Sequence, residues 1–190
     1  MRIVVAGATG VIGIRLVPLL IADGHEILGL TRTPTKVELL ESLGAHAAVC
    51  DVFDAPALTD VVVSYAPQAV IHQVTDLADD PALIDYAANS RTRTEGTTNL
   101  LAAATAAGAT RFLAQSVAWQ LEGAGGEAVA AHERAVLGHG GVVVRYGQLY
   151  GPGTYFESTA PPPPRIHVDD AARRTVPLLD LPSGVVELVE

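Results

Sequence analysis

The chain has 190 residues, a formal charge of −9, 49% hydrophobic against 17% charged residues, and a single cysteine. That length suits one domain with a sizeable core, and no apolar run reaches the ~18 residues a membrane-spanning helix requires. The negative balance opposes nucleic acid or an acidic membrane as partner, and Cys50 alone excludes an internal disulfide and reads as a small buried side chain.

The first strand is predicted over 2–6, "RIVVA", and an N-terminus that opens on a strand, without the segments of a secretory signal, predicts a cytoplasmic protein. The strand runs into "GATGVIG", which spaces Gly7, Gly10 and Gly13 three apart ahead of the helical pattern "VIGIRLVPLLIADG". Strand, glycine turn and helix in that order form a diphosphate cradle: absent side chains allow close approach, and the helix N-terminus offers unpaired N–H groups.

The second strand, 25–31, ends in "LGLTRTPTK". A carboxylate at such a position would bind the 2′-hydroxyl of a dinucleotide's ribose, whereas Arg32 with Thr31, Thr33 and Lys36 makes a pocket for a 2′-phosphate. The expected cofactor is therefore NADP in preference to NAD. After the third strand, 45–49, comes "CDVFD", in which Asp51 is read either as an adenine partner or as a helix cap, with Asp54, nearer the next helix, as the better-placed cap.

A fourth strand, 69–73, carries His72, read as a satisfied core histidine. The helix "EGTTNLLAAATAAG" precedes the fifth strand, 111–115, beyond which lies Ser116; the helix "GGEAVAAHERAVL" follows, with His132 read as a solvated or paired surface group. The sixth strand, 141–146, leads to Tyr150 and Tyr155 at the carboxyl end of the sheet, where open α/β folds bind ligands. "TAPPPPR", 159–165, reads as a connector or edge, and "RIHVDD" as a helix start in which the aspartates meet free N–H groups, so no metal site is predicted. A seventh strand is predicted over 184–189. Continuous apolar strands alternating with helices predict a doubly wound, Rossmann-type α/β fold: a mostly parallel sheet with helices on both faces, residues 1–190 forming a single NAD(P)-binding domain.

Five ordered segments, "GATGVIG", "AVIHQVTD", "EGTTNLLAAATAAGATRFLAQS", "VVRYGQLYGPG" and "RIHVDDAA", together resemble the short-chain dehydrogenase/reductase superfamily, in its NAD(P)-dependent epimerase/dehydratase branch. The resemblance implies Gly7, Thr9, Gly10, Ile12 and Gly13 around the diphosphate, Arg32 at the 2′-phosphate, Asp51 and Val52 at adenine, and His72 and Gln73 lining the cleft. It also exposes a departure. Reduction in this family rests on a Tyr-x-x-x-Lys pair, and aligning Glu133 with the acid that follows the pair leaves Gly125 and Val129 in those places; Lys36 is the only lysine in the chain. Ser116 is a displaced substitute for the family's serine, since Val117 takes its aligned position, and Arg93 stands where the long helix would carry asparagine. Residues 151–190 are short for the family's substrate lobe, so the pocket is expected to be small, open or completed by a partner chain, as in a homodimer.

These features predict an NADP-dependent oxidoreductase acting on a small organic substrate without the Tyr–Lys pair, with Ser116 and Tyr150 as the candidate catalytic hydroxyls. A catalytically silent dinucleotide-binding sensor, or a non-redox lyase, isomerase or cyclase in the same cleft, remain the alternatives.

Overall fold

The structure, a computed structural model, describes residues 1–78 and 80–190. Strands β1 (Arg2–Ala6), β2 (Glu26–Thr31), β3 (His46–Val49), β4 (Ala69–His72), β5 (Arg111–Val117) and β6 (Val142–Tyr146) alternate with helices α1 (Gly13–Ala22), α2 (Val37–Ser42), α3 (Ala55–Tyr65), the pair α4 (Tyr86–Arg91) and α5 (Thr97–Ala106), and α6 (Gly123–Gly138). A π turn, Thr92–Gly96, joins α4 to α5. Two short strands, β7 (Gln148–Tyr150) and β8 (Arg165–His167), then α7 (Val168–Thr175) and β9 (Gly184–Leu188), complete the chain.

The main sheet has seven strands in the order β3-β2-β1-β4-β5-β6-β9, and every pairing in it is parallel. The order reverses between β1 and β4, which opens a crevice at the carboxyl ends of these two strands. Burial follows position: β4 is buried at all four residues, whereas the edge strands β3 and β9 expose alternate or terminal residues. A strand covered on both faces has no polar side to alternate, so the central strands read as unbroken apolar runs.

Two hydrophobic layers sandwich the sheet. One joins Ile3, Val5, Ile71 and Leu113 to Leu16, Val17 and Leu20 of α1 and to Val168 and Ala171 of α7. The other joins Val4, Val70 and Val143 to Leu58 and Val62 of α3, Leu100 and Ala103 of α5, and Val136 of α6. In α1 the buried positions Gly13, Leu16, Val17 and Leu20 recur at i, i+3, i+4 and i+7, the period that sets one face of a helix against a sheet.

The seven predicted main-sheet strands form, each within two residues of its expected ends, and Cys50 is buried. The segment after residue 151 returns to the body: α7 packs on α1, and β9 is the sheet's seventh strand beside β6. The three-residue strands β7 and β8 form a separate two-stranded sheet and were not predicted. Among the described residues no helix is long and apolar enough to cross a membrane.

Candidate functional site

The glycine turn is shaped first by its own packing. Gly7 has φ +81°, and a Cβ there would lie 2.6 Å from the Gln73 carbonyl carbon; one at Gly13 would lie 2.2 Å from the Gly7 carbonyl oxygen. Both must therefore lack a side chain for β1, the exit of β4 and α1 to meet. Gly10 is exposed at the tip and donates its N–H to the Gly7 carbonyl at 3.0 Å, with Thr9 half-buried beside it and Ile12 anchored in the core. No side chain caps the N-terminus of α1, and its first turn holds no acid. The helix end keeps its partial positive charge unopposed, an electrostatic setting that fits a diphosphate.

Arg15, which the sequence did not single out, clamps this turn. Its guanidinium donates to the Val11 carbonyl at 2.8 Å and the Pro152 carbonyl at 2.6 Å, and pairs with Asp169 at 2.6 Å, tying the turn to the 151–153 loop and to α7.

At the exit of β2, Arg32 pairs with Asp76 at 2.7 Å, and Thr33 N–H donates to the Thr31 hydroxyl at 3.2 Å. Lys36 stands exposed on the single turn Pro34–Lys36. The Asp51 carboxylate accepts the Phe53 N–H at 2.9 Å, forming a turn, while Asp54 caps α3 as predicted by accepting the Ala57 N–H at 3.2 Å. Val52 is buried, its carbonyl receiving the Asn99 amide at 2.9 Å.

At the exits of β4 and β5 a buried polar chain runs through two imidazoles. His132 Nε2 meets the Gln115 carbonyl at 2.9 Å, its Nδ1 meets Thr97 Oγ1 at 2.7 Å, Thr97 meets His72 Nε2 at 3.1 Å, and His72 Nδ1 accepts the Val74 N–H at 3.2 Å. The carbonyl at one end can only accept and the amide at the other can only donate. Two neutral rings with hydrogen on Nε2, Thr97 donating to His132, satisfy every link of this chain, and the Arg93 backbone also faces the His132 ring. Burial lowers the His132 pKa to about 4, assisted by the nearby Arg93 charge, and pushes His72 well below the ordinary histidine range. The reading of His72 as a satisfied core residue holds. His132, expected on a solvated face, is instead 1% exposed, because α6 turns it onto the sheet.

Ser116 is also buried, and its hydroxyl donates to Glu133 Oε1 at 2.6 Å. Arg145 binds both oxygens of the same carboxylate, at 2.9 and 2.6 Å. Burial opposes ionisation of Glu133, but these bonds outweigh it and hold its pKa below the usual range. Gln73, against the glycine turn, donates to the Tyr146 hydroxyl at 3.1 Å, and that phenol, 2.6 Å from Thr175 Oγ1, is pushed up to about 12 by burial. Tyr150 lies on β7, its phenol donating to Glu190 at 2.5 Å, which raises its pKa. The structure thus brings Gly7, Gly10, Gly13 and Gln73 together at the crevice, and places Ser116 on Glu133 and Tyr150 on Glu190.

Arg93, in the π turn, is 5% exposed, and its Nε and Nη1 have no hydrogen-bond partner among the described residues. On the facing helix a Cβ at Gly125 would meet nothing within 4 Å.

Residues 3–119, well over half of the chain, match the model of the NAD dependent epimerase/dehydratase family. The chain belongs to this family. Among curated proteins it is 39% identical over 181 residues to a 3-diazoavenalumate denitrifying reductase of Streptomyces sp, covering 81% of this chain and 58% of the relative. The chain thus spans less than two thirds of that relative's length. Two solved epimerase/dehydratase-like structures share the fold. WbmG of Bordetella bronchiseptica, solved with NAD, is 23% identical with a TM-score of 0.79 over 100% of this chain and 72% of its own. UDP-glucose 4-epimerase of Thermus thermophilus, also solved with NAD, is 21% identical with a TM-score of 0.81 over 100% and 78%. The predicted family and Rossmann-type architecture are therefore both established for this member.

Proposed function

We propose that this member of the family is an NADP-dependent oxidoreductase that delivers hydride to an acceptor needing no proton from the protein. The cofactor half rests on the uncapped, acid-free N-terminus of α1 behind the glycine turn and on Arg32 and Lys36 at the exit of β2. When bound, the cofactor supplies a hydride. Gly7, Thr9, Gly10 and Gly13 would hold its diphosphate, Arg32 and Lys36 its 2′-phosphate, Asp51 and Val52 its adenine, and Gln73 its reactive end.

One observation carries the rest. Around β4, β5 and α6 the acid–base groups are already engaged: Ser116 with Glu133, Tyr146 with Gln73 and Thr175, and both imidazoles with their neighbours. Tyr150, on the smaller sheet, donates to Glu190. A carbonyl acceptor requires hydride and a proton at oxygen. A carbon bearing a diazonium group requires hydride alone, since the C–N bonding pair departs with N2 as the C–H bond forms. The relative named as a diazo-compound denitrifying reductase supports this reading. Here the chain's role is to hold the acceptor in line and exclude water, with Ser116 and Tyr150 positioning rather than exchanging protons.

The test follows NADPH oxidation with an aryl diazonium or diazoquinone acceptor beside aldehyde, ketone and quinone panels, each corrected for the uncatalysed reaction. The expected result is enzyme-dependent oxidation with one N2 and one arene C–H per NADPH, deuterium from labelled NADPH appearing at that carbon. Turnover confined to aldehydes or ketones would overturn the choice of acceptor. Tight dinucleotide binding with no turnover in any panel would favour a sensor.

A further inference from the structure

The Arg32–Asp76 pair joins residues 44 apart in sequence. Arg32 directly follows β2, and Asp76 stands four residues past β4. These strands flank β1, so the 2.7 Å bridge spans the carboxyl end of the strand that feeds the glycine turn. The partners are unequal. The Asp76 side chain is 25% exposed and that of Arg32 60%. The backbone N–H of Asp76 donates to the Asn89 side chain of α4 at 3.2 Å, and two residues on, the Ala78 carbonyl receives the Tyr155 hydroxyl. Asp76 is thus held in place on a segment tethered from two sides, while the guanidinium is the more exposed member. Asp51 is a second carboxylate acting on the Arg32 charge.

An arginine with a resident carboxylate is not a vacant phosphate receptor. A 2′-phosphate would offer the guanidinium a stronger, bidentate partner, but it must take the place of the Asp76 oxygen and then lie beside that displaced anion. We propose that Asp76 is a specificity-determining residue: its carboxylate competes with the ribose 2′-phosphate for Arg32, so the balance between the two nicotinamide dinucleotides is set by this exchange and not by Arg32 alone. The proposal rests on the reading of Arg32 as the 2′-phosphate partner.

Titration calorimetry of the full chain with 2′,5′-ADP and with 5′-ADP separates the two ideas without any turnover. In Asp76→Asn, 2′,5′-ADP is expected to bind about 5-fold tighter, the size of effect an exposed ion pair commands, with 5′-ADP unchanged and the gain absent when Arg32→Met is added. Unchanged or weaker 2′,5′-ADP binding in Asp76→Asn, while Arg32→Met alone lowers it, overturns the role of Asp76 and leaves Arg32 standing. A loss for 5′-ADP would place Asp76 on the ribose itself and also overturn the proposal. If Arg32→Met leaves 2′,5′-ADP binding untouched, the reading beneath it falls as well.

Discussion

The glycine turn leaves its helix N-terminus without a side-chain cap, whereas the polar side chains where β4, β5 and α6 meet are almost all engaged with partners. One end of the crevice is built from backbone and charge for a ligand to complete; at the other the acid–base side chains are engaged from within, and among the described residues there only Arg93 has unpartnered polar atoms. An enzyme that moves protons keeps a titratable group in reach of substrate with its pKa tuned toward the working pH. Here the buried imidazoles and the Tyr146 phenol are displaced in the direction that keeps them neutral. The chemistry left to such a site is binding, orientation and exclusion of water.

The sharpest way to break this contrast is at the turn. In Gly13→Ala the added Cβ would sit 2.2 Å from the Gly7 carbonyl oxygen, backbone that has no room to yield. We expect a loss of about 4 kcal/mol by chemical denaturation, at the upper end for single substitutions, and loss of dinucleotide binding by calorimetry. A variant as stable as the parent and still binding would show that the turn is not the rigid cradle described.

At the other end, pH probes the neutral imidazoles. The folded pKa of His132, about 4, lies below the ~6.5 of an unfolded histidine, and that of His72 is lowered too. The unfolded chain therefore binds more protons between these values, and stability is fully present above pH ~6.5 and falls as pH drops toward ~4. From pH 7 to 5 His132 alone is expected to cost about 2 kcal/mol, with His72 acting in the same direction. His132→Asn should flatten that slope whatever its own offset in stability; an unaltered slope would mean that this ring titrates normally.

The difference between the two ends also governs what could be read in advance. Gly7 and Gly13 were legible because they belong to a short glycine triplet set between a strand and a helix that announce themselves by period. The central strands were legible because burial on both faces leaves an unbroken apolar run. By contrast "AHERA" carries two charges and a histidine, and nothing local says that His132 and Glu133 face the sheet; their partners Thr97 and Arg145 lie 35 and 12 residues away. Asp76 meets Arg32 by the same long-range route, and Arg15 reaches Asp169 across 154 residues. Strands β7 and β8 are too short for a pattern, and each depends on the other to exist.

A smaller effect is expected from Glu133→Gln. It removes the charge that binds Arg145 and accepts from Ser116, in a group only 10% exposed at its side chain. The guanidinium is 35% exposed and keeps access to water and to Glu187, so the cost is about 2 kcal/mol, below that of a fully buried pair. Urea denaturation measures it. Dinucleotide binding should be unaltered, since the network braces α6 against β5 and β6 and lies away from the glycine turn; a parallel fall in binding would mean that the two ends are coupled.

The smallest effects separate positioning from proton transfer. Ser116→Ala and Tyr150→Phe each delete a hydroxyl whose hydrogen points at a carboxylate, Glu133 in one case and Glu190 in the other. Neither hydroxyl, so arranged, has a proton to offer a substrate. We expect kcat with a diazonium acceptor to stay within about 3-fold of the parent in both, well short of the ~100-fold that loss of a general acid or base brings, and the pH profile of kcat to keep its shape. A fall of that larger size in either variant, together with a changed pH profile, would show that the hydroxyl leaves its carboxylate when substrate binds, and the acceptor would then have to be one that takes up a proton as well as a hydride.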